Sequence, residues 1–177
     1  MERLELVLPD ITHMYKALEF RQEFFSNGEY EIHGGSLLDQ FVCYEKWLEH
    51  VRSCRANQNM PKGWVPSTTY FAIGQQSGGI IGIIDIRHTL NKELLKYGGN
   101  ISYSIRPSLR GRGYAAQMLK LALEHCKQMG ITKVMISCNQ ANIPSARTIK
   151  SCGGIMQNQY LQNDGEVIQN YWISLGY

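Results

Sequence analysis

The stretch Arg106-Pro107-Ser108-Leu109-Arg110-Gly111-Arg112-Gly113-Tyr114-Ala115 is where this chain gathers residues able to do chemistry. It leaves an alternating, strand-like segment and runs into the strongest helical pattern in the sequence. The start of a helix presents unpaired N–H groups and a partial positive charge, and both favour an anion. Gly111 and Gly113 lack Cβ atoms, so the main chain can turn tightly there and come close to a ligand. Ala115 is too small to block that approach, and Arg110 and Arg112 add charge within reach of phosphate oxygens. Together they describe a cradle for a pyrophosphate. A basic turn whose glycines only shape the bend fits the same spacing, because glycine-rich turns are common. The nucleotide-triphosphate loop does not fit: no Gly-x-x-x-x-Gly-Lys-Ser/Thr occurs. The three-glycine dinucleotide fingerprint is also unmet.

The elements that position this cradle are legible from periodicity. Leu4 to Leu8 alternates and stops at Pro9, a first strand. Asp10 caps a helix running to about Asn27. Ser36 is expected to cap a second helix carrying Leu37, Phe41, Tyr44, Leu48 and Val51 at three-to-four spacing. Asn57 to Pro66, with Pro61 and Gly63, reads as an exposed loop. Thr69 to Ile73 and Ile80 to Ile86 are β-branched and aromatic around Gly74 to Gly79, an antiparallel hairpin. A helical turn around Lys92 to Lys96 is expected before the strand Ile101 to Ile105. Gly113 to Met129 is the clearest helix, with Gly130 as its C-terminal cap. Val134 to Cys138 follows as a buried strand. Asn142 caps a helix with Pro144 in its first turn, ending at Gly153-Gly154. Gln157 to Leu161 and Val167 to Leu175 close the chain as a hairpin around Asn163-Asp164-Gly165. The strand–helix–strand unit around Gly113 calls for a parallel crossover within a mostly antiparallel sheet. The expected class is α/β (α+β), with residues 1–177 forming one domain.

Two motifs in register with this element order carry a resemblance. Arg110-Gly111-Arg112-Gly113-Tyr114-Ala115 matches Arg/Gln-x-x-Gly-x-Gly/Ala, and Asn142-Ile143-Pro144-Ser145 with Gly153-Gly154 matches Asn-x-x-Ala/Ser … Gly. On these residues the chain, from roughly Ser67 to Tyr177, resembles the GNAT acyltransferase superfamily. Within it, the chain looks like a bacterial group of acetyltransferases of unassigned substrate. The resemblance implies a mixed, mostly antiparallel central sheet of about seven strands with helices on both faces. It implies acetyl-CoA as co-substrate, no metal, and direct transfer of acetyl to a primary amine of a small molecule or peptide. The fourth and fifth strands would splay, with the pantetheine arm bonded by main-chain groups near Ser104 and Ile105. Arg110, Gly111, Arg112, Gly113, Tyr114 and Ala115 would hold the pyrophosphate, and Asn142 and Ser145 would lie beside the cofactor. A homodimer is compatible with the family. The alternative is a non-catalytic acyl-CoA-binding or regulatory module on the same fold; an anion-binding protein unrelated to CoA is a third reading.

Direct transfer needs a neutral amine, hence a proton acceptor, and a donor for the departing thiolate. The tyrosine that family members carry seven residues after the motif asparagine is Ile149 here, and the glutamate some carry at the start of the fourth strand is Asn100. A water held by Asn100, Ser102 or Ser104 is one candidate relay, and Asp85 on the neighbouring strand is a second candidate base. Tyr103 reads as a core or cofactor-lining aromatic, His88 as a lone loop histidine. Cys138, ending the fifth strand, reads as a structural thiol, because an acetyl-cysteine would need a depressed pKa and a base. Trp64 in the Pro-flanked loop lines the acceptor side, makes a dimer contact or packs locally.

The bulk composition narrows the partners. A net charge of +3 over 177 residues, with both signs scattered, lacks the clustered basic face that nucleic acid requires. Five cysteines, without a Cys-x-x-Cys pair, suit reduced thiols and a cytoplasmic setting. The five histidines show no metal-ligand spacing. No signal-peptide-like run and no membrane-length apolar window occur, so neither secretion nor a membrane partner is expected.

Overall fold

The frame is set by two apolar segments, Ser67–Gly74 (β2) and Ile80–Arg87 (β3). Ile80 through Ile86 are all buried, as expected of a strand covered on both faces. In the computed structural model, which describes residues 1–176, β2 and β3 form the expected hairpin, in register from Ser67↔Arg87 to Ala72↔Gly82, with a one-residue shift before Ile73↔Ile80. Leu4–Val7 (β1) adds to the β2 edge and Ile101–Ile105 (β4) to the β3 edge. Lys133–Asn139 (β5), Ile155–Leu161 (β6) and Val167–Ser174 (β7) form a second ladder in the order β5-β7-β6. All five ladders are antiparallel. The crossover thus places β4 beside β5 without zipping them into a parallel ladder.

The helices divide by face. Met14–Ser26 (α1) and Tyr44–Arg55 (α2) cover one side, where Phe20, Phe24 and Trp47 meet Phe71 and Ile83. Tyr114–Gln128 (α3) and Ile143–Ser151 (α4) cover the other, where Met118, Leu119 and Ile149 meet Ile84 and Ile101. Successive side chains of β3 point to opposite faces, so Ile83 and Ile84 serve different clusters. Asp10 caps a 3₁₀ turn, Ile11–His13, that leads into α1.

The second helix differs from its sequence expectation. Ser36 is not a cap: Ser36 and Leu37 adopt positive φ values of 47° and 67°, and the helix starts only at Tyr44. Tertiary bonds hold this segment out of a helix. The Trp47 indole N–H donates to the carbonyls of Gly35 and Ser36 at 2.9 and 3.1 Å, and the Ser36 hydroxyl is drawn to Thr69 and Asp85. The turn expected at Lys92 to Lys96 is a π-type turn, Leu94–Gly98. Asn170, 1% exposed, fixes it by donating to the carbonyls of Leu95 and Lys96.

Candidate active site

The two ladders touch at one point. The Asn100 N–H donates to the Met135 carbonyl at 2.7 Å, and the Asn100 side-chain oxygen accepts from the Met135 N–H at 2.9 Å. The Asn100 side-chain amide also donates to the Arg87 carbonyl at 3.1 Å. Asn100 is 3% exposed. Its side chain is therefore a clasp between strands, and the water-holding role considered for it is not what the structure gives.

Beyond the clasp the strands part, and register decides which main-chain groups face the gap. The N–H of Arg106 donates to Ile81 and that of Arg87 to Asn100. With Ser104 opposite Ile83 and Ser102 opposite Asp85, the even-numbered residues of β4 bond to β3. Tyr103 and Ile105 therefore direct their N–H and C=O groups into the gap. On β5, the bonds from Gln140 to Val167 and from Leu175 to Thr132 mark the even-numbered residues as bonded to β7. Met135 and Ser137 face the gap, and Met135 is taken by Asn100. The main chain of Ser104 is committed to β3; the open groups beside it are the N–H and C=O of Tyr103 and the N–H of Ile105, whose carbonyl accepts from Arg110.

A groove of about 860 Å³ occupies this splay. Tyr103, Ser104 and Ile105 line it from β4, Arg110, Gly111, Gly113 and Ala115 from the loop and the start of α3, and Asn142, Ser145 and Thr148 from α4. Gly113 stands at the N-cap position with φ 82°, a conformation side chains other than glycine resist, and no side chain caps α3. Among the described residues, none of the N–H groups from Gly111 to Ala116 has an acceptor within the protein. These free donors, at the positive end of a helix and with all but Arg112 lining the groove, could hold an anion such as a diphosphate.

The individual side chains are placed as follows. Arg110 presses its guanidinium onto Glu29, with bonds of 2.6 and 2.7 Å, donates to the Ile105 carbonyl, and stacks over Phe24. Its hydrogen bonds hold the Glu29 carboxyl below the usual carboxylate range. Arg112 donates to the Ser108 carbonyl and does not line the groove. The Tyr114 ring turns into the core, leaving its main chain at the groove. Asn142 caps α4 by accepting from the Ser145 N–H at 3.1 Å while lining the groove. The Ser145 hydroxyl meets the Tyr103 hydroxyl at 3.2 Å, and burial raises the Tyr103 pKa. Burial likewise raises that of Cys138, against activation of its thiol. Ile149 is fully buried.

Ser102 lines no cavity described here, and Asp85 lies outside the groove. Asp85 instead lines a second cavity of about 230 Å³ with Gly34, Ser36, Trp64 and Arg87. His88 is bonded to Thr68 at 2.8 Å. Among the described residues no three His, Cys, Asp or Glu side chains form a metal-holding group, and no helix is long and apolar enough to cross a membrane.

Sequence reasoning missed the loop after α1: Glu29, Tyr30 and His33 line the groove. Nothing local signals the Glu29–Arg110 pair, whose members are far apart in the chain. Arg147 and Thr148 were recoverable, since they fall one helical turn after Pro144 and Ser145 on the same face.

The comparisons agree with this geometry. The model of the acetyltransferase (GNAT) domain matches residues 3–155, and the chain belongs to that family of acyltransferases. No curated protein matches at a significant level. Among solved structures, RimL, described as a ribosomal L7/L12 alpha-N-protein acetyltransferase in complex with coenzyme A, superposes with TM-score 0.71 at 17% identity, over 98% of this chain and 94% of that one. RimJ of Mycobacterium smegmatis in complex with CoA-disulfide gives 0.72 at 15%, over 98% and 85%. The ribosomal-protein-S5-alanine acetyltransferase of Vibrio fischeri gives 0.71 at 12%, over 99% and 94%. At these identities the likeness is one of fold.

Proposed function

We propose that the protein moves the acetyl group of acetyl-CoA directly onto a primary amine of a small molecule or peptide. The observation that carries this is the run of free N–H groups from Gly111 to Ala116 opening onto the unpaired edge of β4. The residues present fit the cofactor: a donor-rich helix start for the diphosphate, and the free main-chain groups of Tyr103 with the N–H of Ile105 for an extended arm with amide groups. Fold neighbours solved with coenzyme A support the same reading.

When bound, acetyl-CoA supplies a thioester whose carbonyl carbon takes the amine nitrogen as its bond to sulfur breaks, giving an amide and free CoA thiol after proton transfer. The chain's contribution is orientation and proton handling. A free N–H on the β4 edge is available to an oxygen carrying developing negative charge. The Tyr103 hydroxyl, which burial keeps protonated and which adjoins Ser145, is the candidate we take for giving a proton to the departing sulfur. Asp85, Ser102 and Ser104 are the candidates for the acceptor side. Ser104 lines the groove, and Ser102 stands opposite Asp85 across β4 and β3. A silent acyl-CoA-binding module stays a second reading because Ile149 and Asn100 stand where other members carry an acid and a base.

The test is direct. Incubation with acetyl-CoA and an amine panel, followed by free-thiol detection, should give amine-dependent thiol release. In a thermal-shift competition, CoA should raise the melting temperature and ATP should not displace it. CoA binding without release on any amine favours the silent module; no CoA binding rejects both readings.

A further inference from the structure

One wall of the groove has no part in holding the cofactor. On the side of α4 the groove is lined by Ser145 and Thr148, and Tyr103 packs toward the cluster on that face. The loop after α1 supplies Glu29, Glu31 and His33. Ile32 anchors this loop in the cluster under α1 and α2, on the other face of the sheet.

The loop is pinned at both ends. Glu29 pairs with Arg110, beside the free N–H groups at the start of α3. At the far end Gly34 sits against the Ser102–Tyr103 peptide so closely that a Cβ would overlap it, and its φ of 77° suits glycine. The loop therefore runs along the groove from its donor-rich mouth toward the closed end of the splay. An arm laid along β4 from the diphosphate would end there. His33 stands one Cα step, about 3.8 Å, from the Gly34 contact.

His33 is the one imidazole among the described residues that line the groove. Its Nδ1 stands 3.1 Å from Glu31 Oε1, and the two side chains are 65% and 75% exposed. A carboxylate beside Nδ1 favours the proton on that nitrogen and leaves the Nε2 lone pair open. Once the ring takes a second proton, the same carboxylate stabilises the cation. The neighbouring groups are unsuited to accept a proton. Arg110 and Arg147 are permanently charged, and Glu29 is engaged by Arg110. Burial keeps the Tyr103 hydroxyl protonated. A serine hydroxyl is a far weaker base than an imidazole, and Asp85 lines the other cavity.

We propose that His33 is the catalytic base of the groove, taking the proton from the acceptor's ammonium, and that Glu31 is the positioning residue that orients its ring. The inference rests on the groove being the acetyl-CoA site. The ammonium gives one proton to Nε2, which passes it to water on the open side of the loop. The nitrogen lone pair so freed bonds to the thioester carbonyl carbon as the carbon–sulfur bond breaks, its electron pair staying on sulfur. The nitrogen sheds a second proton and the sulfur takes one, so the balance is one amide, one thiol and one proton released. The base and the sulfur's proton donor then reach the groove from opposite faces of the sheet, His33 from the α1 side and Tyr103 with Ser145 from the α4 side.

Two measurements test it. The first needs no turnover: nitrogen-15 NMR of the histidine rings, with the His33 signals assigned by their loss in His33→Gln. Neutral His33 should carry its proton on Nδ1, and Glu31→Gln should return it to Nε2, the form a free histidine side chain prefers. The second is thiol release with the fastest amine of the panel. His33→Gln should lower kcat/KM by about a hundredfold, the lower end of what a general base contributes, while CoA affinity by calorimetry stays unchanged. Added imidazole should restore part of the loss in His33→Ala, because the loop is open to solvent. A proton on Nε2 of His33 in the unaltered protein, or an unchanged kcat/KM in His33→Gln, overturns the proposal. Absence of thiol release from the unaltered protein with every amine fells the acetyl-transfer reading and this base with it, whereas failure confined to the variants strikes His33 alone.

Discussion

Replacing Asn100 by alanine tests whether the clasp at the closed end of the splay sets the groove. The substitution removes the acceptor of the Met135 N–H, whose residue is 1% exposed, and the donor to the Arg87 carbonyl. A buried N–H left without a partner costs about 1–3 kcal/mol, and a second ordinary hydrogen bond contributes about 0.5–1.5 kcal/mol. The expected loss is about 2–4 kcal/mol, a large share of the roughly 5–15 kcal/mol that holds a domain together. Urea unfolding followed by circular dichroism should show a lower midpoint at an unchanged slope. CoA affinity should fall as well, because the spacing of β4 and β5 loses its fixed point. A stability loss below about 1 kcal/mol would mean that water or a neighbour satisfies Met135. Full stability loss with unchanged CoA affinity would show that the groove width is set elsewhere.

Three further outcomes follow from the site. Gly113→Ala forces a side chain into φ 82° at the start of α3, with its Cβ 3.2 Å from the Met1 sulfur; it should cost about 1–2 kcal/mol of stability and weaken CoA in an equilibrium titration. Because Arg110 holds the Glu29 carboxyl below its ordinary 4.5, that pair's stabilisation is present above pH 4.5 and is lost as pH falls through the lower folded value. Glu29→Gln should therefore flatten the fall of melting temperature on acidification in that range, and an unchanged profile would refute the assignment. Of the five free thiols, Cys54 and Cys126 are buried and their pKa values are pushed up by desolvation to about 11 and about 12. A disulfide reagent near pH 8 should leave both unmodified until denaturant is added.

What the sequence discloses here is local. The β2–β3 hairpin, α3 with its glycine-bearing start, and the Asn142 cap were all legible because neighbouring residues determine them. The Asn142 side chain does accept from the Ser145 N–H. The Ser36 cap misled because Leu37 and Phe41 mimic a helical stripe, whereas Trp47, Thr69 and Asp85, remote in sequence, hold that segment in a left-handed turn. The same cause hid Asn100. Read alone, it occupies the place of a base; its clasp exists only once Met135 arrives from another strand. The cradle's main chain could be anticipated, but the partner of Arg110 could not, since Glu29 comes from a loop with no motif.

Gly34 has a bearing on how such a protein changes over time. Only one thickness of backbone divides the two cavities there, and backbone cannot be exchanged by point mutation. A wider second cavity must then be carved from its outer walls, at positions such as Trp64 and Glu93. A residue inserted or deleted between Glu29 and Gly35 would disturb both compartments together, so drift in that loop is constrained from two sides while the outer walls remain free to diverge.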